Sequence, residues 1–141
     1  MVAVSLKNFQ SKNNRSEVIK VGNKRIILDA YNANPSSMEE AIKSFSILDG
    51  DKTIILGDMY ELGDDSLNEH KKIIKLCEEN KHSKCIFIGE TFYSFSNNER
   101  NSNFFKNKSD FFSSNMEIVE KNILIKGSRG MEMEEILKHI K

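Results

Sequence analysis

Apolar and polar positions alternate along this chain in rhythms that predict its elements. Two short β-rich runs, Glu17–Val21 (EVIKV) and Lys24–Asp29 (KRIILD), are separated by Gly22-Asn23. That dipeptide predicts a hairpin, because two-residue hairpin turns need positive φ, which Gly and Asn tolerate. Asn34-Pro35 then opens a helix; Pro suits the first turn, where its missing N–H would have no partner anyway. The helix is expected to run to about residue 48, with Met38, Ala41, Ile42, Phe45 and Leu48 falling on one face.

From there the pattern becomes strand, helix, strand, helix. Residues 53–56 (TIIL) and 85–88 (CIFI) are continuous apolar runs, as expected of strands covered on both faces. Residues 67–80 read as a helix burying Ile73, Ile74 and Cys77. Residues 111–121 read as another helix, 123–125 as the last strand and 129–141 as a closing helix. The polar stretch 97–114 reads as a loosely ordered connection, apart from its Phe pairs. No repeat is visible. The alternation predicts one α/β domain over residues 1–141: a mostly parallel sheet, a short antiparallel N-terminal hairpin and helices on both faces.

Composition narrows the classes. The 21 basic and 21 acidic residues cancel. Nucleic-acid affinity comes largely from clustered cations neutralising phosphates, so a nucleic-acid partner is not expected. No run approaches the ~20 apolar residues of a membrane span, and the first residues lack the apolar core of a signal peptide. No membrane partner is expected, and the location reads as cytoplasmic. Cys77 and Cys85 sit in apolar surroundings and read as reduced core residues; two cysteines make neither a disulfide framework nor a zinc cluster, and no metal site is expected.

In an open α/β sheet, ligands bind outside the carboxyl ends of the strands. Four predicted strands end in unusual text: DAYNANPSSM (29–38), GDMYELG (57–63), GET (89–91) and KGSRGM (126–131). In the first, Asp29 can accept hydrogen bonds from ribose hydroxyls, Tyr31 can stack on a base, and Asn32 and Asn34 bring amides. The helix opening at Pro35 carries roughly half a positive charge at its N-terminus. The same residues also suit a plain turn, with Asn34 capping the helix and Asp29 accepting loop N–H bonds. In the second, Asp58 and Glu61 lie between glycines and suit a cation or a substrate amine, or simply a tight loop. His70 is a catalyst or a structural hydrogen-bonder. In the last, Lys126, Ser128 and Arg129 suit a carboxylate or phosphate, because Arg grips such groups bidentately. Neither GxxxxGK[ST] nor GxGxxG occurs.

These motifs resemble a known family. DAYNANPSSM is similar to the DxYNANPxSM signature of the Mur ligases that add D-alanyl-D-alanine to a UDP-muramoyl-tripeptide. GDMYELG is similar to their GDMxELG, KGSRGM to their KGSRxM, and His70 falls where they carry a His. The match runs from about Phe9 to Ile140, with the motifs in order. The resemblance implies a Rossmann-like three-layer sandwich, the third domain of a three-domain ligase, inactive alone. It implies ATP as cofactor, with Mg2+ held by a central domain. It also implies an acyl phosphate on the peptide carboxylate that the amine of D-alanyl-D-alanine attacks. UDP-N-acetylmuramoyl-tripeptide would be met through the other domains. Carried over residue by residue, Arg15, Asp29, Tyr31, Asn32, Asn34 and Pro35 would contact ATP. Asp58, Glu61, Ser128 and Arg129 would face the dipeptide, and Lys126 would supply charge near the reacting centre. Arg15 follows Asn14 where the family more often has Gly. A receiver-like signalling module, or a purely structural interaction domain, is the alternative. Against a receiver, no Pro follows Lys126, and Asp58 precedes a Gly-bounded loop.

Overall fold

The order of strands follows from how apolar they are. The structure, a computed structural model, describes residues 16–80, 83–97 and 102–140. Among these, six strands form one sheet in the order β1-β2-β6-β3-β4-β5. They are β1 (Glu17–Val21), β2 (Lys24–Asp29), β3 (Lys52–Gly57), β4 (Ser83–Ile88), β5 (Asn103–Phe105) and β6 (Asn122–Lys126). Every residue of β3 and β6 is buried, and these strands take the centre. The half-polar β1 and the three-residue β5 take the edges. The expected hairpin holds: β1 and β2 pair antiparallel around Gly22, whose φ is +62°. The remaining ladders, β2–β6, β6–β3, β3–β4 and β4–β5, are parallel.

Alternate residues of each strand feed two cores. On one face, Ile27, Ile54, Leu56 and Phe87 pack with Met38, Ile42 and Phe45 of α1 (Pro35–Ser46) and with Ile73, Ile74 and Cys77 of α2 (Ser66–Glu79). Each such side chain contributes about 1.5–3 kcal/mol on full burial. On the other face, Ile26, Ile55, Ile86 and Ile125 meet Phe111, Met133 and Ile136. The result is the three-layer α/β arrangement expected. Cys77 and Cys85 are buried free thiols; the hydrogen bond to Cys85, then burial, pushes the Cys77 thiol up. Among the described residues no helix is long and apolar enough to cross a membrane.

The structure departs from expectation in four places. The helix expected over 111–121 is instead α4, Lys108–Ser113. It starts early because Asn107 Oδ1 accepts the Asp110 N–H at 2.7 Å. It ends early because Asn115 turns left-handed, at φ 53°. The closing helix expected over 129–141 is two 3₁₀ segments, Arg129–Met131 and Met133–His139, broken at Glu132 with φ 51°. Met133 and Ile136, three apart, share one face at three residues per turn, which serves burial as well as an α-turn would. Over 102–114, the stretch expected as a loose connection carries β5 and all of α4. Its phenylalanines order it: Phe104 stacks on Phe87 at 5.1 Å, and Phe105 meets Phe111 edge-on at 5.4 Å. A short helix, α3 (Glu90–Tyr93), was not expected and follows β4 directly.

Candidate functional site

Parallel register places the strand ends side by side. Asp29, the last residue of β2, lies opposite Lys126, the last of β6, and Leu56 of β3 lies opposite Lys126 on its other side. Lys126 Nζ donates to Asp29 Oδ2 at 2.6 Å and to the Asn32 carbonyl at 3.0 Å. The two residues are 1% and 5% exposed. Burying both charges costs desolvation, which a short, hydrogen-bonded pair offsets. Ser16 Oγ adds a second donor, to Asp29 Oδ2 at 3.3 Å. Among the described residues, Asp29 therefore takes a side-chain ammonium and a hydroxyl, rather than loop N–H groups. Lys126 is a fixed cation beneath the rim, and its donors clamp the loop that leads from β2 into α1.

That loop ends in a capping box. Asn34 Oδ1 accepts the Ser37 N–H at 2.9 Å, and Ser37 Oγ accepts the Asn34 N–H at 3.0 Å. The cap holds Tyr31, Asn32 and Asn34 at the surface, with Pro35 half-buried behind them. Their exposed ring and amides are the kind of surface that a planar base with polar edges can meet.

The tip of β3 is built differently. Asp58 is 4% exposed. Its Oδ2 accepts the Thr91 N–H at 2.8 Å and its Oδ1 the Phe92 N–H at 3.0 Å, so it receives the free amides at the start of α3. Gly89 makes this possible. Its φ of +136° is barred to ordinary side chains, and a Cβ there would overlap the Asp58 carboxylate. His70, fully buried, accepts the Met59 N–H on Nε2 at 2.9 Å. Its Nδ1 lies 2.7 Å from the Ser66 carbonyl, which sets the tautomer with the proton on Nδ1. His70 is thus a structural hydrogen-bonder that pins this loop to α2.

The β3 and β6 loops are joined directly. The Ser128 N–H donates to the Asp58 carbonyl at 3.2 Å, and the Tyr60 N–H donates to Ser128 Oγ at 2.7 Å. Gly127 fits only because it has no side chain: a Cβ would come within 3.1 Å of the Gly57 Cα. The Arg129 guanidinium carbon sits 5.1 Å from the centre of the Tyr31 ring, a cation–π distance. Glu61, exposed, holds φ 63°, a left-handed conformation that costs a non-Gly residue about 1–2 kcal/mol. Tyr60 is half-exposed; partial burial first, then Asp58 and Glu90, push its phenol up.

Asp29, Tyr31, Asn32, Asn34, Pro35, Asp58, Glu61, Lys126, Ser128 and Arg129 therefore gather along the carboxyl ends of three neighbouring strands. Arg15 lies outside the described residues. Sequence reasoning passed over Tyr60 and the α3 amides. Tyr60 was marked by an aromatic between two carboxylates at a strand end; the amides had no signal, since backbone donors leave none. Two of the cavities among the described residues lie elsewhere. One, of about 360 Å³, is at the amino ends of the strands and is lined by Lys24, Asn115, Met116, Glu117, Ile118, Lys138 and His139. The other, of about 310 Å³, is a groove between α1 and α2. Among the described residues, no three His, Cys, Asp or Glu side chains cluster to hold a metal ion.

Comparison with known proteins supplies the rest. Residues 14–131 match the model for the glutamate ligase domain of the Mur ligases. The chain is 32% identical over 131 residues to the UDP-N-acetylmuramoyl-tripeptide–D-alanyl-D-alanine ligase of Rickettsia prowazekii, covering 89% of this chain and 29% of that protein. It is 36% identical over 138 residues to the same-named ligase of Bacillus subtilis, covering 89% and 30%. The chain thus spans about three tenths of the length of these relatives. A crystal structure of MurF from Acinetobacter baumannii superposes with a TM-score of 0.72 at 26% identity, over 88% of this chain and 29% of that one. MurF from Thermotoga maritima, solved in complex with ADP, shares the fold, with a TM-score of 0.69 at 16% identity, over 89% and 30%.

Proposed function

We propose a function from one premise: this chain belongs to the Mur ligase family, as its C-terminal, glutamate ligase domain, of the MurF type. The domain contributes one wall of an ATP-dependent ligase that adds D-alanyl-D-alanine to UDP-N-acetylmuramoyl-tripeptide, an ADP-forming step in cytoplasmic peptidoglycan precursor synthesis. ATP supplies the phosphoryl group that makes the tripeptide carboxylate reactive. On this chain, Tyr31, Asn32, Asn34 and Pro35 meet the adenine side and Asp29 the ribose, with Arg15 reaching phosphate. Ser128, Arg129 and Glu61 face the dipeptide: Arg129 takes its carboxylate, and Glu61 attracts its ammonium. Asp58 and Lys126 act from beneath, holding the loops that carry the contacting groups. Such catalysis is positioning and electrostatics, and neither phosphate cradle nor metal cluster is supplied by the described residues. The domain alone is therefore inactive, and works with UDP-sugar-binding and ATPase domains.

One observation carries this reading. The nucleotide-side loop and the dipeptide-side loop are tied to the same short segment, 126–129, through Lys126 to Asp29 and Ser128 to Tyr60. The test uses the complete three-domain ligase. Arg129→Ala raises the KM for D-alanyl-D-alanine by about tenfold to a hundredfold, the scale of a lost charge-assisted hydrogen bond, with the KM for ATP little changed. An unchanged dipeptide KM would remove Arg129 from the site. A receiver-like role is disfavoured by the Asp58 carboxylate, whose two oxygens both hold backbone amides.

A further inference from the structure

We infer that Tyr60 is a positioning residue for Arg129: with Tyr31 it brackets the turn 128–130 and holds the guanidinium ready for the carboxylate of the incoming dipeptide. The inference rests on the reading of Arg129 above. In the family motif GDMxELG, Tyr60 occupies the position with no fixed residue, so the resemblance assigns it nothing.

The bracket is built from both sides. Tyr60 touches the turn before and after Arg129. Its N–H donates to Ser128 Oγ at 2.7 Å. Its ring lies against Gly130, where an added Cβ would come within 2.8 Å of the ring edge, so any side chain at 130 would push the ring away. Its hydroxyl donates to Met131 Sδ at 3.0 Å. Residue 60 thus meets the turn at three points: its main chain at Ser128, its ring at Gly130 and its hydroxyl at Met131. Tyr31, from the β2 loop, meets the other end of Arg129, its guanidinium, at 5.1 Å. A free arginine side chain loses much rotamer freedom when it grips a ligand. Fixing its root through Tyr60 and its head through Tyr31 moves that loss from binding into folding, the sense in which a site is pre-organised.

Burial alone does not explain Tyr60. Its side chain is 47% exposed, and it belongs to neither of the buried clusters. What it supplies is the contact between two loops.

The experiment measures steady-state kinetics of the complete ligase with Tyr60→Ala, Tyr60→Phe, Gly130→Ala and Arg129→Ala. Tyr60→Ala is expected to raise the KM for D-alanyl-D-alanine about tenfold, with kcat and the KM for ATP within about twofold, the pattern of lost ground-state binding. Tyr60→Phe keeps the ring against Gly130 and restores most of the affinity. Gly130→Ala displaces the ring and mimics Tyr60→Ala. If Arg129→Ala raises the dipeptide KM and Tyr60→Ala does not, the positioning role is wrong and the reading of Arg129 survives. If Tyr60→Ala instead lowers kcat and weakens every substrate alike, Tyr60 is merely structural and the inference is overturned. If Arg129→Ala leaves the dipeptide KM unchanged, the reading of Arg129 and this inference fall together.

Discussion

The tips of β2 and β3 look alike in sequence and are built on opposite principles. Each ends an apolar run with an aspartate that is 4–5% exposed in the fold. Asp29 is neutralised by a full counter-charge, the Lys126 ammonium, on the neighbouring strand. Among the described residues Asp58 meets no cation at comparable distance; the basic nitrogen beside it is His70 Nε2 at 3.8 Å, already occupied by the Met59 N–H. It is satisfied by two backbone amides at a helix start. A buried carboxylate can be stabilised by charge or by dipoles, and the two tips separate these cases within one rim. The charge solution makes a stiff strap across strands. The dipole solution welds two loops and leaves room above for Tyr60 and Glu61.

Removing charge from one tip gives the largest expected effect. Lys126→Met leaves the Asp29 carboxylate buried without its cation, and urea unfolding should show a loss of about 3–5 kcal/mol. That is a large share of the ~7–20 kcal/mol expected for a domain of this length. Asp29→Asn should cost nearly as much, by stranding the lysine. The double variant should lose clearly less than the sum, because each half strands the same partner. A loss under about 1 kcal/mol for either single change would mean that the pair does not form as a buried strap.

The same substitution at the other tip sharpens the contrast. Asp58→Ala strands the Thr91 and Phe92 amides and should cost about 1–3 kcal/mol. Asp58→Asn, which keeps one acceptor oxygen and strands a single amide, should cost about half of that. Asp→Asn is thus expected to be severe at position 29 and mild at 58. Equal losses at the two positions, measured by the same unfolding assay, would erase the distinction between charge and dipole.

How much of this was legible in the sequence depends on range. The hairpin at Gly22-Asn23, the helix opened by Asn34-Pro35 and the buried strands 53–56 and 85–88 are written in neighbouring residues, and each stands where expected. The rim followed from one topological rule applied to four strand ends. Partners were not legible: Lys126 and Asp29 are 97 positions apart, and nothing local to either says which cation meets which acid. The amides that receive Asp58 belong to Thr91 and Phe92, whose side chains say nothing of their N–H groups. At the C-terminus, Met133 and Ile136 fit a 3.0 and a 3.6 period equally well over so short a run. Glu132 in a left-handed conformation, which favours Gly or Asn, gave no warning of the break.

A smaller effect tests the local end of that range. The Asn34 cap was readable from its position before Pro35, and its oxygen receives the Ser37 amide. Asn34→Ala should lower stability by about 1 kcal/mol, and Asn34→Ser should restore most of it. If Asn34→Ala instead costs as much as Lys126→Met, the loop from β2 into α1 is held by its cap rather than by the strap beneath it.

The smallest expected effect sets the buried pair against a half-exposed one. Lys108 Nζ lies 2.6 Å from Glu135 Oε1 and joins α4 to the last 3₁₀ segment. The hydrogen bond from Lys108, and then its charge, hold the Glu135 carboxyl below its usual 4.5. A carboxyl lowered on folding adds stability above its unfolded value and loses it as pH falls through the folded value. Wild type and Glu135→Gln should therefore differ slightly near neutral pH and converge as the medium is acidified below about 4.5. Added salt should shrink the neutral-pH difference, since a pair open to solvent on one side is screened. It should leave the Lys126→Met penalty nearly unchanged, because solvent ions do not reach Asp29. A salt response equal in both variants would place the two pairs in the same environment and remove burial as the reason for their unequal weight.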